Sequence, residues 1–192
     1  MSLAYNAMLF AREVHKDQRR KYTSNPYADH LAEVAGIVAT VVNHDIDPEV
    51  MIAVAWLHDC VEDQSVTTDH LMAMFGSDVA RGVQWLSDLE TGNRAERKAA
   101  SRARLAAAPG WVQTIKCADL ISNTSSIVMH DSKFAVVYLE EKRMLLDVLT
   151  KADPRLVGIA RAQAGVEVPD AGSISDLVSN CGDDVKRKRE HK

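Results

Sequence analysis

The stretch AWLHDCVED, residues 55–63, places one histidine and three carboxylates within nine residues that otherwise have the composition of a buried helix. An α-helix turns by about 100° per residue, so His58, Asp59, Glu62 and Asp63 would share one sector of a continuous helix. Apolar side chains occupy the other side and can face a core. Like charges at helical spacing destabilise a helix, so this acidic face needs a source of positive charge.

The surrounding sequence supplies no basic partner. Between Lys21 and Arg81 there is no lysine or arginine, whereas ten acidic residues and four histidines lie in that interval. A divalent metal ion is the simplest source of the missing charge. Histidine and aspartate together suit Mn²⁺, Fe²⁺ or Zn²⁺. The alternative is an acidic helix end that is merely solvated.

Further candidate ligands lie elsewhere in the chain, because His58 and Asp59 alone cannot complete a coordination sphere. His30 follows NPYAD and is expected in the first turn of a helix. Asp119 lies in the apolar helix pattern IKCADLISN, where an unpaired carboxylate would cost several kcal/mol. Asn123, one turn further along, would face the same way. The remaining histidines are interpreted as structural or solvated: His15, His44, His70, His130 and His191.

Helix signals recur along the whole chain of 192 residues, and no β-strand alternation stands out. Apolar spacing, capping residues and proline or glycine breaks predict an all-α fold with a single domain. The domain is expected over residues 1–165, and residues 166–192 form an extension whose basic end, KRKREHK, is interpreted as a solvated tail. The predicted helices cover residues 3–22, 28–43, 48–63, 68–75, 77–89, 94–108, 111–129, 134–150 and 154–164.

Composition and charge argue against several classes of protein. Three cysteines without a CxxC pair fit a reducing cytosol better than a disulfide framework. The apolar runs are too short to span a bilayer, and the N-terminal basic cluster follows the apolar stretch, the reverse of a secretory signal. The net charge of −4 argues against a general nucleic-acid binder. We therefore expect a cytoplasmic protein with no membrane partner and no specific nucleic-acid partner, and its oligomeric state stays open.

Five motifs occur in the order typical of one enzyme family. They are FAREVHKDQRRK (10–21), NPYADH (25–30), AWLHDCVED (55–63), LMAMFGSDVARGVQWLSDLE (71–90) and IKCADLISN (115–123). Their histidines and aspartates follow the order H…HD…D and include an HDxxED element. In these motifs the chain resembles the HD-domain phosphohydrolases and, more closely, the Spo/Rel-type alarmone hydrolases. The resemblance covers residues 3–150. The length of the chain resembles that of the stand-alone small alarmone hydrolases, not that of the long enzymes with synthetase and regulatory domains.

The resemblance implies a single HD-domain helical bundle with a manganese centre and a nucleotide site. The implied metal ligands are His30, His58, Asp59 and Asp119. A carboxylate pair is implied to position the attacking water and handle protons, namely Glu62 and Asp63. The implied substrate contacts are Arg20 and Lys21 beside the base and a phosphate, Asn123 near the ribose, and Tyr138.

The reaction implied by the resemblance is the metal-dependent removal of the 3′-pyrophosphate from (p)ppGpp or (p)ppApp, an activity of the stringent response. Its products are pyrophosphate and GDP/GTP or ADP/ATP. The base stays open because EDQ (62–64), Leu31 and the glycine-free loop YTSN (22–25) depart from the family pattern. Two alternatives remain. One is an HD phosphohydrolase of another nucleotide, such as a 5′-nucleotide, a dNTP or NADPH, and the other is a non-catalytic module that binds alarmone.

A basic segment, residues 94–104, concentrates arginine and lysine against a single glutamate. This run is either a solvated helix face or a basic flap over the acidic site that attracts a polyphosphate. Its basic residues are Arg94, Arg97, Lys98, Arg102 and Arg104.

Overall fold

Helices make up the fold, as the sequence predicts. A computed structural model describes residues 2–42 and 45–165, and within them it contains ten helices and no strand beyond one isolated bridge between Arg19 and Pro26. The helices are α1 (Leu3–Val14), α2 (Tyr27–Ala39), α3 (Pro48–Leu57), α4 (Cys60–Asp63), α5 (Thr68–Phe75), α6 (Ser77–Leu86), α7 (Arg94–Ala107), α8 (Gly110–His130), α9 (Ser132–Leu146) and α10 (Pro154–Gln163).

Part of what the sequence predicts lies outside the described residues. The expected extension over residues 166–192, with its basic tail, is one such part. His44 and His191 are two others, so their interpretation as structural or solvated stays a prediction. None of the helices in the described part of the chain combines the length and the apolar character that a membrane span requires.

Capping side chains determine where several helices begin. Asp47 and Asp153 each accept a hydrogen bond from the backbone N–H two residues further on, and a proline occupies the first helical position after each. Asn93 opens α7 with a capping box, in which the carboxylate of Glu96 accepts a hydrogen bond from the Asn93 backbone N–H. The predicted starts of α3, α7 and α10 are therefore confirmed, since they rest on local chemistry that the sequence displays.

The first predicted helix is too long. α1 ends at Val14 and does not continue to residue 22. His15 caps this end, is buried, and stacks on the ring of Tyr27 with 5.1 Å between the ring centroids. The chain then doubles back, and the backbone N–H of Tyr27 donates to the carbonyl oxygen of Gln18. The helix stops here because the loop packs its side chains against the start of α2.

The predicted helix over residues 48–63 is also wrong, because it is two helices. α3 ends at Leu57 and α4 begins at Cys60, so His58 and Asp59 lie at the junction. Asp59 has φ −99° and ψ −3°, and its carboxylate accepts a hydrogen bond from a side chain of α2. The predicted helices 28–43, 77–89 and 134–150 also end early, with α2, α6 and α9.

α3 is the central helix of the bundle. It packs against α1, α2 and α6, while α8 packs against α2, α9 and α10. Cys60 and Cys117 are free and buried, and the third cysteine, Cys181, lies outside the described residues. This packing brings the first turn of α2, the C-terminal end of α3 and the middle of α8 together. The buried side chains of α3 are Met51, Ala53, Val54, Ala55 and Leu57.

Gly82 on α6 permits a close contact that a larger residue would prevent. A Cβ atom at this position would lie 2.6 Å from Cη2 of Trp111 and 2.7 Å from Cγ2 of Val54. We expect Gly82→Ala to lower the free energy of unfolding by about 1–3 kcal/mol, the usual cost of overpacking. Urea denaturation followed by circular dichroism measures this change.

Gly36→Ala is the matched control, because Gly36 is a glycine of α2 whose Cβ would meet nothing within 4 Å. Alanine in a helix interior is more favourable than glycine by about 0.5–1 kcal/mol. We expect this variant to be more stable than the unsubstituted protein. Equal changes in the two variants would contradict the packing described for Gly82.

Candidate metal centre and active site

Four side chains from three parts of the fold meet at one point. His30 comes from the first turn of α2, His58 and Asp59 from the junction between α3 and α4, and Asp119 from the middle of α8. Nε2 of His58 lies 3.0 Å from Oδ2 of Asp59 and 3.8 Å from Oδ1 of Asp119. Nε2 of His30 lies 3.6 Å and 3.4 Å from the same two oxygens. The structure thus brings together all four residues predicted as metal ligands.

The two imidazole rings direct nitrogens without hydrogen bonds into this cluster. Both rings are buried, and within the described part of the chain Nε2 of His30 and Nε2 of His58 have no hydrogen-bond partner. Nδ1 of His58 lies 2.8 Å from the carbonyl oxygen of Ala55, which can only accept, so Nδ1 carries a proton and Nε2 is the nitrogen that can take a metal ion or a second proton. His30, His58 and Asp119 each offer an atom within 4.8 Å of the others. This set of donors fits a divalent metal ion.

A proton competes for the same position. Burial alone would lower the pKa of His58, but the carboxylates of Asp59 and Asp119 outweigh it and raise that pKa well above its usual range. The cluster therefore attracts positive charge, whether as a proton on His58 or as a metal ion.

Asp119 is a buried carboxylate with a full set of partners. Its Oδ2 accepts a hydrogen bond from Nζ of Lys116 at 2.8 Å, and its Oδ1 accepts one from Nδ2 of Asn123 at 2.6 Å. Burial raises the pKa of Asp119, but Lys116 and the two histidines hold it well below its usual range. Lys116 therefore supplies, from α8, part of the positive charge that residues 22–80 lack.

Sequence reasoning missed two residues of this cluster. The hydroxyl of Tyr27 donates to Oδ2 of Asp59 at 2.6 Å, and Lys116 pairs with Asp119. Each of the two precedes a predicted ligand by three residues, about one helical turn, since Tyr27 precedes His30 and Lys116 precedes Asp119. This spacing is the signal that could have identified them.

Glu62 and Asp63 lie on α4 and line the same cavity as Asp59. Oε2 of Glu62 accepts a hydrogen bond from the backbone N–H of Asp88 at 2.9 Å, and Oδ2 of Asp63 accepts one from Nε2 of Gln18 at 2.8 Å. Burial, reinforced by the charge of Asp59, raises the pKa of Glu62 to about 7, although its side chain reaches solvent through the cleft. A carboxyl group with this pKa can give and take a proton near neutral pH.

The cavity beside the cluster has a volume of about 360 Å³. Acidic side chains from the cluster line one part of it, and α7 and α9 line another. Phe134 and Tyr138, both on α9, add aromatic surface. A polar cavity of this size, with an apolar part beside it, can hold a small molecule.

Three of the five basic residues in segment 94–104 line this cavity. Arg94 donates two hydrogen bonds to Glu141, at 2.6 Å and 2.7 Å, and Lys98 pairs with Asp88 at 3.0 Å. Arg102 also lines the cavity and makes no ion pair with any residue that the structure describes.

The other two basic residues do not line the cavity. Arg104 binds the carboxylates of Asp88 and Glu90 and the carbonyl oxygen of Trp85, so its charge is used to hold α7 against the end of α6. Arg97 is exposed. The interpretation as a basic flap therefore applies to Arg94, Lys98 and Arg102. The interpretation as a solvated helix face applies to Arg97 alone.

The predicted substrate contacts lie in two adjoining places. Nη1 of Arg20 donates to Oδ1 of Asn123 at 3.0 Å, and both residues line a smaller pocket of about 220 Å³ together with Lys21. Phe134 belongs to both pockets, and Nζ of Lys21 lies 5.8 Å from the centroid of its ring. Tyr138 lines the larger cavity. The structure thus groups Arg20, Lys21 and Asn123 and places Tyr138 in the cavity next to them.

A sequence profile described as HD domain matches residues 7–115, more than half of the chain. The matched range contains His30, His58 and Asp59 and ends before Asp119. The chain belongs to the HD-domain family.

Several relatives bear the name guanosine-3′,5′-bis(diphosphate) 3′-pyrophosphohydrolase. MESH1 of Xenopus tropicalis is 35% identical over 64% of this chain and 68% of its own length, and MESH1 of Danio rerio is 39% identical over 46% and 49%. A probable enzyme of the same name from Synechocystis is 32% identical over 65% of this chain and 17% of its own length. The chain thus spans about half of the zebrafish protein and a small part of the cyanobacterial one.

Two solved structures have the same fold. One is described as a metazoan ortholog of SpoT that hydrolyzes ppGpp, and it matches with a TM-score of 0.76 and 23% identity, over 87% of this chain and 98% of that chain. The other, from Listeria monocytogenes, has a TM-score of 0.61 and 22% identity over 74% of this chain and 96% of its own. These likenesses confirm the all-α HD-domain bundle.

The raised pKa of Glu62 predicts a pH-dependent contribution to stability in the metal-free protein. Its pKa rises from an ordinary value of 4.5 to about 7 on folding, so the native state holds the proton more tightly than the unfolded state. The stabilising contribution of protonated Glu62 to the free energy of unfolding is therefore fully present below pH 4.5. It is lost as the pH rises through 7. Glu62→Gln removes this titration.

We expect the free energy of unfolding of Glu62→Gln, minus that of the unsubstituted protein, to increase between about pH 5 and pH 8. Urea denaturation in EDTA at each pH measures the difference. Glu140→Gln, which changes an exposed glutamate of α9, is the control and should give no such trend. A flat difference for Glu62→Gln would contradict the raised pKa.

Proposed function

We propose that this protein is a metal-dependent hydrolase that removes the 3′-pyrophosphate from (p)ppGpp or (p)ppApp. Its products are pyrophosphate and GDP/GTP or ADP/ATP. The observation that carries the proposal is the pair of buried nitrogens, Nε2 of His30 and Nε2 of His58, that face two carboxylates beside a cavity with basic lining. The names of the relatives support the substrate class. We assign the activity to residues 1–165 and place it in the cytoplasm, within the stringent response.

We place Mn²⁺ between His30, His58, Asp59 and Asp119, because imidazole and carboxylate together suit this ion. Bound there, such an ion lowers the pKa of a water molecule toward neutrality and polarises a phosphoryl oxygen. The protein orients the ligands for this task. Tyr27 holds Asp59 through its hydroxyl group.

Glu62 and Asp63 handle the water and the protons in this proposal. Both carboxylates line the cavity, and the pKa of Glu62, raised by burial to about 7, suits a group that takes a proton from water. Asp63 is held by Gln18 and can orient the water through its other oxygen. The oxygen of the water bonds to the phosphorus attached to the ribose, the bond between that phosphorus and the 3′-oxygen breaks, and the 3′-oxygen takes up a proton that the water has lost.

The lining of the cavity suits a substrate with several phosphates. Arg94, Lys98 and Arg102 can bind the leaving pyrophosphate, since guanidinium and ammonium groups pair strongly with phosphate oxygens. We place the base near Arg20 and Lys21 in the smaller pocket. We place the ribose beside Asn123 and Tyr138, because both line the cavity and Asn123 also lines the smaller pocket.

A panel of substrates tests the proposed reaction. We expect the metal-stripped protein to be inactive and the protein with Mn²⁺ to release pyrophosphate from ppGpp, ppApp or both, with ion chromatography identifying the products. The same incubations with dGTP and NADPH test the alternative HD phosphohydrolase. Release of pyrophosphate from neither alarmone would reject the proposed substrate class.

Glu62→Gln and Asp63→Asn separate a hydrolase from a binding module. We expect each change to lower kcat by about 10²- to 10⁴-fold, the usual contribution of a general acid or base, while the affinity for Mn²⁺ stays close to that of the unsubstituted protein. Asp69→Asn, at an exposed position of α5, is the control. A module that only senses alarmone would bind ppGpp with no turnover, before and after the changes.

A further inference from the structure

The outer nitrogen of His30 is held by a chain of two side chains. Nδ1 of His30 lies 2.8 Å from Oγ of Ser122, and this hydroxyl donates to Oε2 of Glu33 at 2.6 Å. Ser122 is a buried residue of α8, three residues after Asp119, whereas Glu33 is an exposed residue of α2, three residues after His30. The chain His30–Ser122–Glu33 therefore runs from the metal cluster to the protein surface.

The hydroxyl group of Ser122 has only one proton to donate. A carboxylate oxygen of Glu33 accepts this hydrogen bond, so the hydroxyl proton points toward Glu33. The oxygen of Ser122 must then accept from His30, which places the imidazole proton on Nδ1 and leaves the lone pair on Nε2. This is the tautomer that a metal ion requires, because Nε2 is the nitrogen that faces Asp59 and Asp119.

His58 does not depend on such a chain. Its Nδ1 donates to the carbonyl oxygen of Ala55, a backbone group that cannot act as a donor. A serine hydroxyl can reverse its direction, so on its own it would not define the tautomer of His30. Glu33 removes that freedom.

We propose that Glu33 and Ser122 are positioning residues that lock His30 in the tautomer able to bind the metal. The inference rests on the metal centre of the proposed function. Without Glu33, the hydroxyl of Ser122 can rotate and donate to Nδ1, which favours the tautomer with its proton on Nε2. Partners beyond the ligands of a metal site typically change its affinity by about 10- to 100-fold.

The affinity for Mn²⁺ tests the proposal without reference to any substrate. Free Mn²⁺ is followed by electron paramagnetic resonance while the metal-stripped full chain is titrated. We expect Glu33→Ala and Ser122→Ala each to weaken binding by about tenfold or more. Glu33→Gln should bind nearly as tightly as the unsubstituted protein, because its amide oxygen still accepts the hydroxyl proton.

Two control variants each delete the same kind of group as a test variant. One deletes a hydroxyl on the helix of Ser122, and the other deletes an exposed carboxylate on another helix. Ser125→Ala deletes a hydroxyl of α8 whose one hydrogen bond within the described residues goes to the carbonyl oxygen of Ser122. Glu13→Ala deletes an exposed carboxylate of α1 that pairs with Lys16. Both should keep the full affinity for Mn²⁺. Thermal unfolding of each metal-free variant checks the fold, and Glu33→Ala keeps the test valid if Ser122→Ala does not fold, because Glu33 is exposed.

The outcomes separate the proposal from its premise. Unchanged affinity in Glu33→Ala would overturn the role of the chain while leaving the metal centre intact. An equal loss in Glu33→Gln and Glu33→Ala would also overturn it, since charge and not the direction of the hydrogen bond would then matter. No Mn²⁺ binding by the unsubstituted protein would reject the metal centre itself, and with it the role of the chain.

Discussion

The compensation of buried negative charge is the constraint on which the cleft depends. Asp119 lies in the middle of α8, where an unpaired carboxylate is costly, and Lys116 and Asn123 bind it from one turn before and one turn after. The two histidines complete its surroundings from other helices. Because each partner comes from a different element or turn, the packing of α2, α3 and α8 and the electrostatics of the site support each other.

Local sequence patterns indicated His58, Asp59 and the candidate ligands His30 and Asp119, and the resemblance to the alarmone hydrolases joined them into one metal site and implied the roles of Glu62 and Asp63. The excess of acidic residues between Lys21 and Arg81, and the helical spacing around Asp119, are visible without knowing which helices touch. The structure places all four clustered residues together, and it lines the neighbouring cavity with Glu62 and Asp63. The continuous helix predicted over residues 48–63 is wrong, since α3 ends at Leu57 and α4 begins at Cys60.

The remaining features depend on contacts between distant residues. α1 stops where His15 stacks on Tyr27, and pattern reasoning cannot foresee a contact made in a loop. The segment of basic residues has no feature that distinguishes Arg102, which lines the cavity, from Arg104, which binds Asp88 and does not line it. The order of the helices was predictable from the sequence. The break between α3 and α4 and the partners of the arginines in segment 94–104 were not.

Most of the cations in the cavity already have carboxylate partners. Arg94 holds Glu141 and Lys98 holds Asp88, so an entering ligand recruits either cation only by displacing an acidic side chain. A phosphate group with two negative charges competes well with a carboxylate, whereas a neutral or singly charged group does not. The carboxylates of Glu141 and Asp88 thus compete with a ligand for Arg94 and Lys98, whereas Arg102 makes no ion pair within the described residues and is open to a ligand of any negative charge.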